Sequence, residues 1–368
     1  MSETESNTKK ELSTTEGNFA KPLNYALAWS NGEKVVTKQS GNKYRGEVEL
    51  GKTLKATFFS DNAQPIKKLS GNSFRIFLYC ICCRWPRLKK TDVNALNELR
   101  KKPYGSIGEI EKFFGISHKT AYNWITNFSK EVGGKAYLSD SKTAVWWIDA
   151  VKEKENGEGQ NYLDWSFSMS FMEDYKSGVF PTNYPEGLIR EKGLDDLALA
   201  LSLLLTQYAR MLWSNDGGIA QNSEMRLGIE QLFKRMNRPT AAPNRKDKEK
   251  LLRPFLKSIE ALNESGFFGN EPYFYEPITK TRISLQGAKK DGTTWKDILK
   301  TELVFTLSFE PLRADTRAKA LAYRKRAAES KASTPKGNTK KPPKKPKRWG
   351  GGITQAGAID PDAPENGA

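Results

Sequence analysis

The sequence predicts an α+β fold in which helical hairpins are followed by short strands. Two observations predict it: amphipathic helical stripes occur in pairs near 106–132 and 224–268, and each pair precedes stretches rich in β-branched and aromatic residues. The composition, 37% hydrophobic and 11% aromatic with nine Trp, is sufficient for buried cores despite a charged fraction of 28%. At roughly 150 residues per domain, the 368 residues predict two packed domains between polar ends.

The charge balance predicts a polyanionic partner. Lys and Arg number 60 against 43 Asp and Glu, which gives a net charge of +17 at neutral pH. Such a chain attracts nucleic acid or an anionic surface. No apolar run approaches the roughly 20 residues of a membrane-spanning helix, and no early stretch has the pattern of a secretory signal. We therefore expect a cytoplasmic protein with no membrane partner.

Histidine and cysteine usage excludes several classes of metalloenzyme. His118 is the one histidine of the chain, and the three cysteines lie within FRIFLYCICC at 74–83. Rolling-circle nickases, zincins and zinc deaminases each require more histidines, or a histidine with well-spaced cysteines. We expect Cys80, Cys82 and Cys83 to be buried reduced thiols, and we expect no metal site, no cofactor and no catalytic residue.

The two ends of the chain differ in composition from its middle. Residues 1–20 are rich in Ser, Thr, Asn and Glu and predict a flexible leader, whereas 21–66 alternate around an Asn-Gly turn and predict a short β-rich segment. Residues 324–348 hold eleven Lys or Arg among prolines against one Glu. The stretch 324–368 therefore predicts a basic disordered tail, which would attract phosphates without selecting a sequence.

Residues 46–53, GEVELGKT, match the phosphate-loop pattern of nucleotide-binding proteins. In that pattern Lys52 would reach phosphates and Thr53 a magnesium ion. The chemistry requires a buried apolar strand before the first Gly, but GNKYR precedes it, and Glu47 and Glu49 would bring two carboxylates to the loop. Val48, Leu50 and Leu54 instead continue the alternation of a half-buried strand, so an ATPase is the less favoured interpretation.

The clearest motif is a helix-turn-helix at 106–132, which contains GISHKTAYNWITNF. A first short helix ends at Gly115, where a tight turn requires positive φ, and Ser117 caps a second helix. On the second helix Ala121, Ile125 and Phe128 recur at helical spacing and are expected to point inward. The residues expected to point outward to DNA are His118, Lys119, Thr120, Asn123 and Asn127. The alternative to a DNA-binding motif is a helical hairpin with a purely structural role.

Flanking segments complete the first unit. The stretch 67–83 predicts its leading helix, while 135–150 and 161–171 predict two strands on either side of a charged loop, KEKENGEGQ. This is the pattern of a winged helix, with the charged loop as the wing. We expect Trp146, Trp147 and Trp165 to belong to the core or the strand face, not to stack on bases.

A second copy of the pattern follows. Residues 195–212 predict a central buried helix, and helices over 224–237 and 244–268 form another hairpin. On the latter helix Leu251, Leu252, Phe255, Ile259 and Leu262 make the inward stripe, and Pro254 kinks or restarts the helix. Its outward cations, the second set of candidate DNA-binding residues, are Arg245, Lys246, Lys248, Lys250, Arg253 and Lys257. A solvated basic face is the alternative interpretation.

Strands are expected again at YFYEPITKTRISLQG and ELVFTLSF, with GAKKDGTTWKDILK between them as a second wing. Lys289 and Lys290 on this wing are candidate contacts to phosphates or the minor groove. The predicted fold is therefore two tandem winged-helix domains, 67–180 and 181–323, with a β-rich N-terminal region and a disordered basic tail.

The order of these elements resembles that of the iteron-binding plasmid replication initiators. The resemblance covers roughly 67–310 and rests on KKLSGNSFRIFL, GISHKTAYNWITNF, DWSFSMSF, LALALSLLLTQYARML, LLRPFLKSIEALNESGF and ELVFTLSF. It implies that Arg245, Lys246, Lys250 and Arg253 are the main readers of the DNA repeats, with His118, Lys119, Thr120 and Asn123 secondary. Two features depart from the family: the strand-like region at 23–59 has no counterpart, and the first hairpin is the clearer DNA motif.

The resemblance implies a sequence-specific double-stranded DNA-binding protein that binds direct repeats at a plasmid origin, opens adjacent AT-rich DNA, and recruits the host initiator and the replicative helicase. It also implies a switch between repressing homodimers and initiating monomers. Such a protein uses the free energy of binding to deform DNA and needs no catalytic residue, so we expect that it is not an enzyme. The alternatives are a winged-helix transcriptional regulator without a replication role, an architectural protein that depends on its tail, and the ATPase using 46–53.

Overall fold

Helices and small antiparallel sheets alternate along the chain, so this computed structural model has the mixed content of the predicted α+β class. The described residues are 14–17, 36–40, 43–49, 55–60, 69–84, 93–138, 144–149, 152–155, 161–176, 182–213, 223–236, 238–242, 246–290, 292–311, 318, 322 and 325. The predicted tail at 324–368 lies outside them apart from Lys325. The chain divides into two units, Met1–Arg324 and Lys325–Ala368, and every element below belongs to the first.

The helices and strands have the following bounds. The helices are α1 (Gly71–Leu78), continued by a π-helical segment at Tyr79–Arg84, α2 (Val93–Lys101), α3 (Ile107–Phe114), α4 (His118–Val132), α5 (Met169–Lys176), α6 (Glu186–Arg190), α7 (Asp196–Trp213), α8 (Ile229–Arg235), a second π-helical segment at Lys248–Leu252, α9 (Arg253–Glu264), α10 (Leu285–Lys289) and α11 (Trp295–Leu299). The strands are β1 (Thr14–Gly17), β2 (Val36–Ser40), β3 (Lys43–Glu49), β4 (Lys55–Ser60), β5 (Lys135–Leu138), β6 (Ala144–Trp146), β7 (Lys152–Glu155), β8 (Asn161–Asp164), β9 (Thr182–Pro185), β10 (Met225–Gly228), β11 (Tyr273–Glu276), β12 (Thr281–Ser284) and β13 (Glu302–Phe305).

The strands of the N-terminal region join a five-stranded antiparallel sheet in the order β2-β3-β4-β5-β6. Within the phosphate-loop match, residues 46–49 continue β3, and Gly46 lies opposite Thr37 of β2 and Phe58 of β4. The strand interpretation of these four residues is therefore confirmed, while 50–54 lie outside the described residues. Phe58 in turn lies opposite Tyr137 of β5, so the N-terminal strands extend the sheet of the first helical unit.

Strand β1 departs from the expectation of a flexible leader over 1–20. Thr14–Gly17 pair antiparallel with β9, with Thr14 opposite Pro185 and Gly17 opposite Thr182. The hydrogen bonds of this pairing form between backbone groups and do not depend on side-chain type. A polar segment without apolar alternation therefore does not indicate that it forms a strand with a segment so distant in the sequence.

The leading helix α1 and its π-helical continuation are buried from Ser73 to Arg84. Ser70 begins α1 by accepting a hydrogen bond from the Ser73 amide, as an N-cap does. Cys80, Cys82 and Cys83 are buried thiols that form no disulfide, which confirms the expectation for them. Burial raises the pKa of Cys80 and Cys82 well above the ordinary value of a thiol, so both remain protonated.

The region after α4 contains more elements than the two predicted strands. The stretch 135–150 holds two strands, β5 and β6, that form a hairpin around the polar residues 139–143, and the expected charged loop begins with β7, which pairs with β8. The last three residues of 161–171 are helical, because Ser168 accepts a hydrogen bond from the Phe171 amide at 3.0 Å and so caps α5, which begins at Met169.

Aromatic side chains fill the core of this first unit. Trp147 and Trp165 are both 1% exposed, which confirms their expected place in the core, whereas Trp146 is half-buried. Trp147 contacts Phe77 of α1 edge-on at a ring-centroid distance of 5.1 Å, and Trp165 packs on Phe128 of α4 at 4.8 Å. The sheet, the leading helix and α4 therefore share one core.

The apolar helix α7 is central and buried, as predicted. Ser202 on this helix lies 2.6 Å from the Tyr184 hydroxyl of β9. Burial raises the pKa of Tyr184, so this hydroxyl stays protonated and available for the bond.

A buried arginine joins α1 to the segment that leads into α7. The Arg75 guanidinium donates to the carbonyl oxygens of Leu188 at 3.4 Å and Ile189 at 2.5 Å, and to those of Glu191 at 2.8 Å and Leu194 at 2.7 Å. Arg75 is 7% exposed, and burial lowers its pKa from the ordinary value. Because a guanidinium has five donors in a rigid fork, it can bind several carbonyls of one helix end simultaneously.

The second sheet has the strand order β10-β13-β11-β12. Its first strand corrects a prediction: the helix expected over 224–237 begins only at Ile229, and Met225–Gly228 pair with β13. Met225 and Leu227 are buried and Arg226 is exposed, which is the period of a strand and not of a helix.

Among the described residues, no helix is both long enough and apolar enough to cross a membrane.

Candidate nucleic-acid interface

The α3–α4 hairpin is held by three local devices. Ser106 caps α3 by accepting from the Glu109 amide at 3.2 Å, and Ser117 caps α4 by accepting from the Thr120 amide at 3.3 Å. Between them Gly115 ends α3 at φ 59° and ψ 45°, in the left-handed region where a side chain is strained. The predicted turn at Gly115 and cap at Ser117 are therefore confirmed, and Ser106 adds a cap that was not predicted.

The two faces of α4 are clearly separated. Ala121, Ile125 and Phe128 are buried, which confirms the predicted inward stripe. The exposed stripe consists of Lys119, Asn123, Asn127 and Lys130, at the spacing of one helix face. We call these four residues the α4 stripe. It contains no acidic side chain and carries two amides between two cations.

His118 and Thr120 differ from the remaining predicted contacts on α4. The His118 Nδ1 is paired with a carboxylate oxygen of Glu111 on α3, and the His118 side chain is 42% exposed. The Thr120 hydroxyl lies 2.9 Å from the Ser117 hydroxyl at the helix cap. Both side chains already have partners within the hairpin, whereas the α4 stripe faces outward. Lys130, which sequence reasoning missed, follows Asn127 by three residues and could have been found from that spacing.

Helix α9 and the segment that leads into it carry the second predicted set of cations. The π-helical segment Lys248–Leu252 leads into α9, and Pro254 stands in its first turn, where no amide donor is needed. The predicted inward stripe is confirmed, since Leu251, Leu252, Phe255, Ile259 and Leu262 are all buried. Lys246, Lys250, Arg253 and Lys257 are exposed and Lys248 is half-buried, while Arg245 lies outside the described residues.

Several of these cations line one groove between α9 and α10. The groove has a volume of about 380 Å³, and its lining consists of Lys248, Leu252, Arg253, Leu256, Lys257, Glu260, Ala288 and Lys289. We call it the basic groove. Lys289 forms an ion pair with Glu260, so one of its four cations is partly neutralised. With four cations against one glutamate, the lining has a positive balance that suits phosphate oxygens.

The expected second wing at 287–300 is wrong, because the segment contains parts of two short helices. Ser284 caps α10 by accepting from the Gly287 amide, and Thr294 and Asp297 form a capping box on α11. Trp295 and Ile298 are buried, and the Trp295 indole donates to the Thr240 carbonyl at 2.7 Å.

The expected wing residues are consequently placed differently. Lys289 is the last residue of α10 and lines the basic groove, not a loop tip. Lys290 is exposed just after that helix. The residues that cap both helices were visible in the sequence. The Gly- and Lys-rich composition nevertheless favoured a loop in the prediction.

The β11–β12 hairpin is the projecting loop of this unit instead. Its turn, residues 277–280, is exposed at every position, and the flanking Arg282 guanidinium lies 3.8 Å from the centre of the Tyr273 ring. Neighbouring Arg226 stacks in the same way on Tyr275 at 4.6 Å. Lys280 and Arg282 are thus exposed cations of this hairpin, and sequence reasoning missed both of them. The turn sequence PITK at 277–280 was the feature from which the exposed hairpin could have been predicted.

No protein-family model matches the chain, and no curated protein sequence matches it.

Proposed function

We propose that the protein is a sequence-specific double-stranded DNA-binding protein built from two tandem winged helices, which acts as a replication initiator at a plasmid origin. The observation that carries DNA binding is the pair of outward helix faces: the α4 stripe and the cations of α9, neither of which is covered by another described element. Helices with such faces are the elements that enter the major groove.

The order of elements supports the winged-helix part of the proposal. Between Asp196 and Phe305 a helix (α7), a strand (β10), two helices (α8 and α9) and then strands follow one another, and β13 lies between β10 and β11. A winged helix in which β12, α10 and α11 lengthen the segment between the last two strands would have this order. Earlier in the chain the α3–α4 hairpin precedes the β5–β6 hairpin in the same way.

The two faces differ in the DNA atoms they suit. Amides such as Asn123 and Asn127 can pair with the edge of adenine in the major groove, while the exposed lysines and arginines of α9 suit phosphates or guanine. Binding direct repeats, opening adjacent AT-rich DNA and recruiting the host initiator and replicative helicase belong to the same proposal, through the resemblance to plasmid initiators. The switch between repressing homodimers and initiating monomers also belongs to this proposal, as does a cytoplasmic location on a plasmid or the nucleoid.

Salt dependence tests the DNA contact of the basic groove. Each phosphate contact contributes roughly one unit to the slope of log affinity against log salt, so Lys257→Ala should reduce that slope by about 1. Lys234→Ala is the matched control, because Lys234 is an exposed lysine of α8, outside the groove, that pairs with Glu230. Equal slopes for the two variants would contradict a phosphate contact in the groove.

Permanganate footprinting then separates initiation from simple repression. On a supercoiled plasmid that carries the DNA upstream of its gene, an initiator should make thymines in a neighbouring AT-rich tract reactive. A transcriptional regulator, which the same helix faces support, would protect its site and leave those thymines unreactive.

A further inference from the structure

The most exposed large apolar side chain among the described residues is Ile278, at the tip of the β11–β12 hairpin. It is 86% exposed, against 53% for Met169 and 37% for Met211. An isoleucine in this position buries only a small part of its side chain, so packing contributes little to its role.

The tip holds this side chain in a defined position. The Ile278 amide donates to a carboxylate oxygen of Glu276 at 3.3 Å, and the Thr281 hydroxyl donates to the Thr279 carbonyl at 3.4 Å. Lys280 adopts a left-handed φ of 55°, and the proline ring of Pro277 fixes its own φ. Ile278 is itself β-branched and stiff at χ1.

The surroundings of Ile278 are polar and hold more cations than carboxylates, with Glu276 as the acidic residue at the start of the turn. From residue 277 to residue 290 the chain contains Lys280, Arg282, Lys289 and Lys290 but no Asp or Glu. The exposed neighbours of Ile278 in the turn are a proline, a threonine and a lysine. A lone apolar side chain ringed by polar ones is too small for a protein interface, which buries about 800 Å² on each partner.

The hairpin also adjoins the proposed DNA-binding helix. Phe274 of β11 packs against Phe255 in the first turn of α9, with ring centroids 6.1 Å apart. Strand β12 leads directly into α10, which contributes Ala288 and Lys289 to the basic groove.

We propose that Ile278 is an intercalating wedge, which the β11–β12 hairpin inserts between two base pairs in the minor groove while α9 binds beside it. Apolar side chains inserted in this way unstack a base step and bend the duplex. Lys280 and Arg282 would hold the phosphates on either side. The inference rests on the proposed DNA binding and gives the protein a way to deform DNA without an enzymatic step.

Bending and unstacking test the wedge directly. The probe is a short duplex recovered from a random pool by selection with the full-length protein, labelled at its two ends with a donor and an acceptor fluorophore. A second series carries 2-aminopurine at successive positions and reports unstacking. For Ile278→Ala we expect the bend to fall by at least about 20°, the lower end of kinks made by inserted side chains, and the 2-aminopurine signal to disappear.

Two further variants keep the test specific. Thr279→Ala removes an exposed side chain one position along the same turn and should bend DNA as the wild type does. Ile278→Leu keeps an apolar wedge and should retain most of the bend. Because Ile278 is exposed, all three variants should unfold at the wild-type temperature.

The outcomes separate the wedge from the proposed function. A wild-type bend in Ile278→Ala overturns the wedge while DNA binding stands. A random pool that yields no bound duplex for the wild type overturns DNA binding, and the wedge with it.

Discussion

The two outward helix faces of this protein differ in both their chemistry and their construction. The α4 stripe places Asn123 and Asn127 between two lysines, whereas the exposed polar residues predicted for DNA contact on α9 are all cations. Amides discriminate between base edges, while cations on a helix face mainly neutralise phosphates. The comparison suggests a division of work in which α4 contributes selectivity and α9 contributes affinity, the reverse of what the resemblance to plasmid initiators implies.

The two faces also depend on different kinds of contact. The α3–α4 hairpin has side-chain caps at both helix starts and a left-handed glycine between them. Helix α9 has no side-chain cap and begins in a π-helical segment. Its position is instead set by aromatic packing, with Phe255 against Phe233 at 5.3 Å and against Trp295 at 6.1 Å. The first face is therefore built locally, and the second depends on tertiary structure.

The largest effect should come from a substitution of Arg75, which joins the region that holds α4 to the region that holds α9. Arg75→Ala leaves four carbonyls without their donor and should lower the free energy of unfolding by about 3 kcal/mol, as loss of a buried charged donor does. Chemical denaturation followed by Trp fluorescence measures the change. Arg75→Lys, which keeps the charge but loses the fork, should recover only part of the loss. A loss below about 0.5 kcal/mol, typical of an exposed position, would show that the arginine does not couple the regions.

Asn123→Ala should sharpen the comparison with a smaller effect. If Asn123 reads a base edge, the variant should lose about 1–3 kcal/mol of discrimination at one base pair and keep its affinity for other DNA. Competition binding with single-position substitutions of the selected duplex measures this. Lys130→Ala, on the same stripe, should instead weaken binding to all sequences alike. A uniform loss in Asn123→Ala would refute the division of work between the helices.

The smallest expected effect tests the helix found in place of the second wing. The Thr294 hydroxyl and the Thr294 amide, in that order, lower the pKa of Asp297 by hydrogen bonding to its carboxylate. Asp297→Ala should therefore destabilise the protein by roughly 0.5 kcal/mol at neutral pH, a modest value because the cap is exposed.

The pH dependence of this effect has a definite sign. Since the folded state has the lower pKa, the stabilisation by Asp297 is present above the ordinary pKa of an aspartate and is lost as the pH falls through the folded value. The difference between wild type and Asp297→Ala in thermal unfolding should thus shrink in acid. A difference that is independent of pH would argue against the capping box.

Features set by neighbouring residues could be predicted from the sequence. Ser106, Gly115 and Ser117 define the α3–α4 hairpin within one short stretch, and the buried stripe of α9 follows from its spacing. Features set by distant partners could not be predicted. Met225–Gly228 form a strand because β13 pairs with them, and Arg75 lies in an apolar run whose context gave no sign of the carbonyls it binds more than a hundred residues later.

The residues of the candidate site also divide into those that the local sequence predicts and those that it does not. Lys119, Asn123 and Asn127 were identified correctly as outward residues, because helical periodicity alone decides which face they occupy. Lys289 was identified as a cation of interest but assigned to a wing, since the Gly- and Lys-rich composition favoured a loop although Ser284 caps α10 locally. The exposure of Ile278 could not be predicted either, because its apolar side chain is typical of a strand core.

Binding of the full-length protein to the DNA upstream of its gene, compared with a shuffled duplex of equal composition at about 0.15 M salt, tests the central claim most directly. If the helix faces read sequence, the upstream DNA should bind at least about 1000-fold more tightly. Equal affinity for the two duplexes would mean that the exposed faces of α4 and α9 grip phosphates without reading bases, and would contradict the account.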